Sequence, residues 1–207
     1  LAGAAAERLH VGALREKPDR LAEFDALTIP GGFSYGDDCG AGRIFGNQLD
    51  LFFRDALARL VERGGLVLGI CNGMQVLVAA GFLPGGGPSA TMAPNASGHF
   101  ECRWVELEAG PASTSFLENG RRMRLPVAHG EGRVLPSPSH SLAQRIALRY
   151  IKPPGDANGR GTPTSYPFNP NGSALDAAGL TDATGRILGL MPHPERAVRR
   201  WQCGGNE

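Results

Sequence analysis

Residues 65–81, GLVLGICNGMQVLVAAG, restrict the possible folds of this chain more than any other stretch. A short, nearly continuous apolar run bounded by glycines predicts a strand over 66–70 covered on both faces, as in a parallel sheet. A helix is predicted from Asn72 to about Ala80, with Cys71 on the turn between them. The order Gly69-Ile70-Cys71-Asn72-Gly73 has the G-x-nucleophile-x-G form of a nucleophile elbow, with cysteine in place of serine. The flanking glycines allow strand and helix to approach closely and leave the thiol at the apex. A helix N-terminus beside it favours the thiolate over the thiol, and if Cys71 works as a pair with His193 the thiol is expected to titrate below the roughly 8.5 of free cysteine. The competing reading is a structural cysteine buried at a strand end.

The chain around this stretch is that of an ordinary globular protein. It has 207 residues, enough for one substantial core, and is expected to form a single domain over 1–207. A net charge of +1 gives no reason to expect nucleic acid or an anionic membrane as partner. No apolar run approaches the roughly 20 residues of a membrane span. Cysteines at 39, 71, 102 and 203 form no C-x-x-C pair, which suits neither a zinc site nor a disulfide framework. A reducing, cytoplasmic compartment is the economical expectation.

The N-terminal residues 1–8 favour helix by composition, with a short strand expected over 8–12 and a loop or turn of helix over 14–21. Residues 24–29 predict a strand ending at Pro30. It runs into PGGFSYGDDCGAGRIFG, whose glycines at a strand end can bring backbone N–H groups close to a ligand. The loop lacks both the G-K-[ST] ending of a P-loop and the G-x-G-x-x-G spacing, and Asp37 and Asp38 would repel phosphate, so a donor loop for a smaller oxyanion fits better. Apolar residues at 49, 52, 53, 56, 57, 60 and 61 predict a helix from 47 to 63, with Asn47 as N-cap and Gly64-Gly65 as its stop. Strand, loop, helix, strand, elbow and helix follow in order, the βαβα signature of an α/β fold with a parallel sheet. Further strands are expected over 103–108, 122–127, 146–151 and 187–191, and loops over 84–97, 152–164 and 169–173.

A cysteine nucleophile needs a base, and the base needs an orienting group. His193 ends an apolar strand as Cys71 does, and strand C-termini of a parallel sheet share one edge. Glu195 lies two residues on; if the chain stays extended through Pro194, both side chains point to one side, and the carboxylate can hold the imidazole tautomer. The competing reading is a surface turn. The H-x-E of zinc deaminases lacks its P-C-x-x-C partner here.

Five ordered motifs, PGGFSYGD, GICNGMQVL, AHGEGR, NPNGS and GLMPHPERA, resemble the class I (triad) glutamine amidotransferases. Within them they are most similar to the glutaminases of phosphoribosylformylglycinamidine synthases, over about residues 8–198. The resemblance implies an open, mostly parallel sheet flanked by helices, flavodoxin-like in arrangement. It implies that Cys71 attacks the side-chain amide of L-glutamine, with His193 as base and acid and Glu195 orienting it. Gly31, Gly32, Phe33 and Asn72 match oxyanion and glutamine-binding positions. Gln75 matches the glutamine pocket, with plain helix capping as the competing reading. His129, Glu131 and Asn171 would shape the pocket or the partner interface. Ammonia would pass to an ATP- and Mg-dependent synthetase subunit in purine biosynthesis, with a small accessory subunit; no cofactor is expected in this chain.

The family begins with a strand that this sequence does not contain, and the tail after Arg196 is short, so both ends are expected to be incomplete. Two rival readings stand beside this one. The chain could be another class I amidotransferase or cysteine-elbow hydrolase, or a structural subunit whose triad is silent.

Overall fold

The computed structural model describes residues 3–87, 89–138, 140–153 and 164–203. Residues 4–10 are irregular, where the sequence predicts helix and then strand. So short an Ala-rich run cannot sustain a helix without a packed face. The first helix, α1, is Val11–Glu16, and His10 caps it by accepting from the Gly12 N–H at 3.1 Å. A 3₁₀ segment over Pro18–Glu23 leads into strand β1, Ala26–Ile29.

Helix α2 spans Arg43–Glu62, starting four residues before the expected cap. Gly42, in the left-handed region at φ 75°, turns the chain into the helix, so no capping side chain is required and Asn47 lies inside it. Its apolar stripe, Leu49, Phe53, Leu57 and Leu60, is buried. Each such side chain contributes roughly 1.5–3 kcal/mol by leaving water. Strand β2, Leu66–Ile70, and helix α3, Asn72–Ala79, follow as predicted. α3 is buried on all sides from Asn72 to Val78, which suits a helix lying between the sheet and α2. Gly73 makes that seat possible: a Cβ there would stand 2.0 Å from the Ile29 carbonyl oxygen.

The remaining strands are β3 (Ala90–Ala93), β4 (Glu101–Ala109), β5 (Arg122–His129), β6 (Arg133–Pro136), β7 (Ile146–Ile151), β8 (Ala177–Thr181) and β9 (Ile187–Leu190). The main sheet has seven strands in the order β1-β2-β9-β8-β7-β4-β5. The α/β architecture with flanking helices is as expected, but the sheet is mixed. β1, β2 and β9 pair in parallel; β9-β8, β8-β7, β7-β4 and β4-β5 are antiparallel. Among the described residues only the first half of the chain carries a crossover helix between consecutive strands of the main sheet; the described connections of the second half are loops and 3₁₀ turns, which permit antiparallel neighbours. β3 and β6 form a separate two-stranded antiparallel sheet.

The antiparallel half curls back toward the parallel half. β9 and β5 are separated by three strands in the sheet, yet the His193 N–H just beyond β9 donates to the Pro126 carbonyl of β5 at 2.8 Å. The core lies between the sheet and its covers and includes Val67, Met74, Leu77, Leu107, Val127, Ile146, Leu148 and Tyr150. The loop expected over 152–164 falls mostly outside the described residues. Among the described residues no helix is long and apolar enough to cross a membrane.

Candidate active site

Cys71 sits where β2 becomes α3. Its N–H donates to the Leu190 carbonyl of β9 at 2.7 Å, so the elbow is anchored to the neighbouring parallel strand. Its backbone is at φ 50°, ψ −105°, a conformation that costs a non-glycine residue on the order of 1–3 kcal/mol. This is the strained apex that the elbow pattern predicts. The thiol is buried, and its Sγ approaches the Ala128 carbonyl oxygen at 3.8 Å.

His193 follows β9 through Met191 and Pro192 and is held by the bond to Pro126. Its Nδ1 lies 2.6 Å from Glu195 Oε1. Pro194–Arg196 is a 3₁₀ turn, so the pair meets by folding back and not through the extended chain that the sequence suggests. The carboxylate accepts from Nδ1–H, which leaves Nε2 as the free base. That Nε2 is buried, with no hydrogen-bond partner among the described residues. A Cβ added to Gly31 would stand 3.0 Å from His193 Cε1 and 3.5 Å from Cys71 Cβ. Nucleophile and base therefore meet at one glycine, where an added side chain would press on the His193 ring.

Burial pushes the Cys71 thiol up to about 11, against the expectation of a lowered value. The Asn72 N–H and Arg196 favour the thiolate but do not offset desolvation, and Glu195 and Asp37 oppose it. Burial thus favours the protonated thiol, on the same glycine contact as the His193 imidazole. Such a pair transfers its proton as the nucleophile attacks.

The loop after β1 lies against the elbow. Gly31 touches both Cys71 and His193, and Gly32 has φ 145°, accessible in practice to glycine. Phe33 points outward and is 69% exposed, so only its backbone is available to the site. Asn72 and Gln75 are buried and joined, Asn72 Nδ2 donating to Gln75 Oε1 at 2.8 Å, and Gln75 Nε2 donates to the Glu131 carbonyl at 2.5 Å. Gln75 therefore ties α3 to the AHGEGR turn and is not a helix cap. Glu131 Oε2 accepts from the Ala41 N–H at 3.2 Å.

His129 is buried in the same turn and pushed down to about 4 by desolvation and by the nearby His193. Asn171 is internal. It is fully buried, with Nδ2 donating to the Gly132 carbonyl at 2.7 Å and the Tyr150 hydroxyl at 3.0 Å, and Oδ1 accepting from Ser173. Asn169 likewise bonds to Gly172, Ser173 and Asp176, so the NPNGS motif is internal turn chemistry.

Sequence reasoning missed Asn95, which stands in a stretch read as loop. Its N–H donates to the Gly130 carbonyl and its Oδ1 accepts from the Gly132 N–H, so it organises the whole turn. It also missed Tyr150, a buried phenol near Cys71. Cys39 and Cys102 are free and exposed. Among the described residues no cluster of three or more His, Cys, Asp or Glu could hold a metal ion.

The profile of the CobB/CobQ-like glutamine amidotransferase domain matches residues 1–205. The chain belongs to this family. It is 46% identical over 214 residues to phosphoribosylformylglycinamidine synthase subunit PurQ of Dehalococcoides mccartyi, covering 99% of this chain and 82% of that protein. It is 36% identical over 202 residues to the PurQ subunit of Methanococcus maripaludis strain C5, covering 95% and 75%. Among solved structures it resembles PurLQS from Thermotoga maritima, with TM-score 0.66 and 33% identity over 86% of this chain and 73% of that one. This amidotransferase domain therefore has the curled mixed sheet and flanking helices of the class I fold.

Proposed function

We propose that this amidotransferase domain is the glutaminase component of a phosphoribosylformylglycinamidine synthase. The observation that carries the reading is the meeting of Cys71, on its strained elbow, with the Glu195-paired His193 across Gly31. The two named PurQ relatives support the assignment to that synthase.

The chemistry follows from the atoms present. Cys71 Sγ gives its proton to His193 Nε2 and attacks the side-chain carboxamide carbon of L-glutamine, forming the C–S bond. The oxyanion is held by the Asn72 N–H and by N–H groups of the Gly31-Gly32 turn; such donors are worth roughly 10²–10³ in rate each. His193 returns the proton to the nitrogen as the C–N bond breaks, and ammonia leaves. Water then gives a proton to the same Nε2 and attacks the thioester. The C–S bond breaks, Cys71 regains its proton, and glutamate departs. Glu195 holds the tautomer and stabilises the imidazolium that forms in each half.

Ammonia passes to a synthetase subunit that uses ATP and Mg to convert formylglycinamide ribonucleotide to formylglycinamidine ribonucleotide, and a small accessory subunit completes the complex. The PurLQS relative supports such an assembly. A cytoplasmic location fits the exposed free thiols of Cys39 and Cys102.

The test is glutamate release by the chain mixed with its synthetase, wild type against Cys71→Ala. Release by wild type and none by the variant is expected. Full release by Cys71→Ala would remove the mechanism, and no release by wild type in the complex would remove the assignment.

A further inference from the structure

The glycine-rich loop is gripped by a closed circuit of hydrogen bonds that the reaction itself does not use. The Ser34 N–H donates to Asn72 Oδ1 at 3.2 Å, Asn72 Nδ2 donates to Gln75 Oε1 at 2.8 Å, and Gln75 Nε2 donates to the Glu131 carbonyl at 2.5 Å. The circuit closes where the Ala41 N–H donates to Glu131 Oε2 at 3.2 Å. Ser34 and Ala41 stand at the two ends of the segment that continues Gly31-Gly32. Between them Tyr35 and Asp37 adopt positive φ, both 56°, which non-glycine residues hold only when their surroundings over-determine it. The segment has no strand pairing, and its turns at Gly36 and Gly40 close on the loop itself. Asn72 and Gln75 are 4% exposed, so their side of the circuit is rigid. Asn72 Nδ2 also donates to Asp37 Oδ1 at 3.4 Å within the segment, while the Ala41 N–H at its far end donates to Glu131.

We propose that Glu131 is a positioning residue: its carboxylate pins the loop at Ala41 and so keeps the Gly31-Gly32 donors in register with Cys71. This rests on the glutaminase reading, and it assigns Glu131 to the loop rather than to glutamine. A carboxamide at this position still offers an acceptor oxygen to Ala41; a methyl group does not. Glu131→Gln should therefore rescue what Glu131→Ala loses.

The experiment compares both variants in the complete complex with the synthetase and measures amide hydrogen exchange in the full chain alone. Glu131→Ala should lower kcat by about 10²-fold, the cost of a misplaced donor, with KM within about threefold of wild type. Exchange across 33–41 should accelerate by about tenfold in Glu131→Ala and stay near wild type in Glu131→Gln. A raised KM with kcat kept would mean that Glu131 binds glutamine directly and would overturn the proposal. So would Glu131→Gln failing as badly as Glu131→Ala, or loop exchange unchanged in both. The exchange measurement needs no turnover, so it judges the loop contact even if the complex releases no glutamate.

Discussion

Asn95 fixes the tautomer of His129. Both hydrogens of Asn95 Nδ2 are taken, by the His99 and His129 carbonyl oxygens at 2.8 Å each, so Oδ1 must face the Gly132 N–H at 3.0 Å and His129 Nδ1 at 3.1 Å. His129 Nδ1 then carries the proton, and Nε2 is buried with no hydrogen-bond partner among the described residues. The folded site favours the neutral imidazole, a requirement set first by burial and then by the nearby His193.

That requirement has a pH signature. His129 titrates near 4 in the folded chain and near 6.5 in the unfolded one. Between these values the unfolded state binds more protons, so stability falls as pH drops from 6.5 toward 4 and levels off below. The loss amounts to about 3 kcal/mol at the acid end. Urea unfolding of wild type and His129→Asn across this window checks it: the variant's stability should decline less steeply. Equal slopes would show that other groups carry the acid sensitivity.

Cys71 in the free chain should alkylate slowly at neutral pH. With its thiol pushed up to about 11, the rate with iodoacetamide should keep rising past the roughly 8.5 of free cysteine. A plateau below pH 7 would indicate a resting thiolate–imidazolium pair. Mass spectrometry of the alkylated peptide separates Cys71 from the exposed Cys39 and Cys102.

Glu195→Gln should impair turnover without loosening substrate binding. A carboxamide can donate to Nδ1 and so select the wrong tautomer, and it cannot balance an imidazolium. Because Glu195 is 48% exposed, water screens part of its charge, and a fall of about 10²–10³-fold in kcat is expected where a buried carboxylate would give more. Steady-state kinetics of the complex would show it, with KM nearly unchanged.

Gly31→Ala tests the shared contact between nucleophile and base. The added methyl at 3.0 Å from His193 Cε1 must push the ring by a few tenths of an ångström. Turnover should drop by about 10²-fold with the melting temperature close to wild type, since the strain is local.

The strand bounds of β2 and β7 and the elbow between β2 and α3 were legible because local pattern decides them. A buried run between glycines and an alternating hexamer leave few alternatives. β8 was missed: AAGLT has small residues that do not announce a strand, yet all five are buried, and Gly179 fits between Leu148 and Leu190. Most strands of the antiparallel half were legible, but their order and direction were not, because no local signal states which strand pairs with which. At the site, Cys71, His193 and Glu195 could be chosen by chemistry. Asn95 could not, since a buried asparagine that bonds four partners has the same letter as one in a surface turn. The thiol's titration was misjudged because the elbow's helix is visible in sequence and the depth of its burial is not.

The bond from the His193 N–H to the Pro126 carbonyl ties the base to the last strand of the curled sheet. Nucleophile and base leave the adjacent parallel strands β2 and β9, but the base is also held by β5 at the antiparallel edge, so its position depends on both ends of the sheet. Recovery of glutaminase activity during refolding should therefore wait for the final closure of the sheet and lag behind the return of helix. In this architecture catalytic competence acts as a reporter of complete assembly: a chain with its edge strand undocked keeps both thiol and imidazole but lacks the bond that anchors the base.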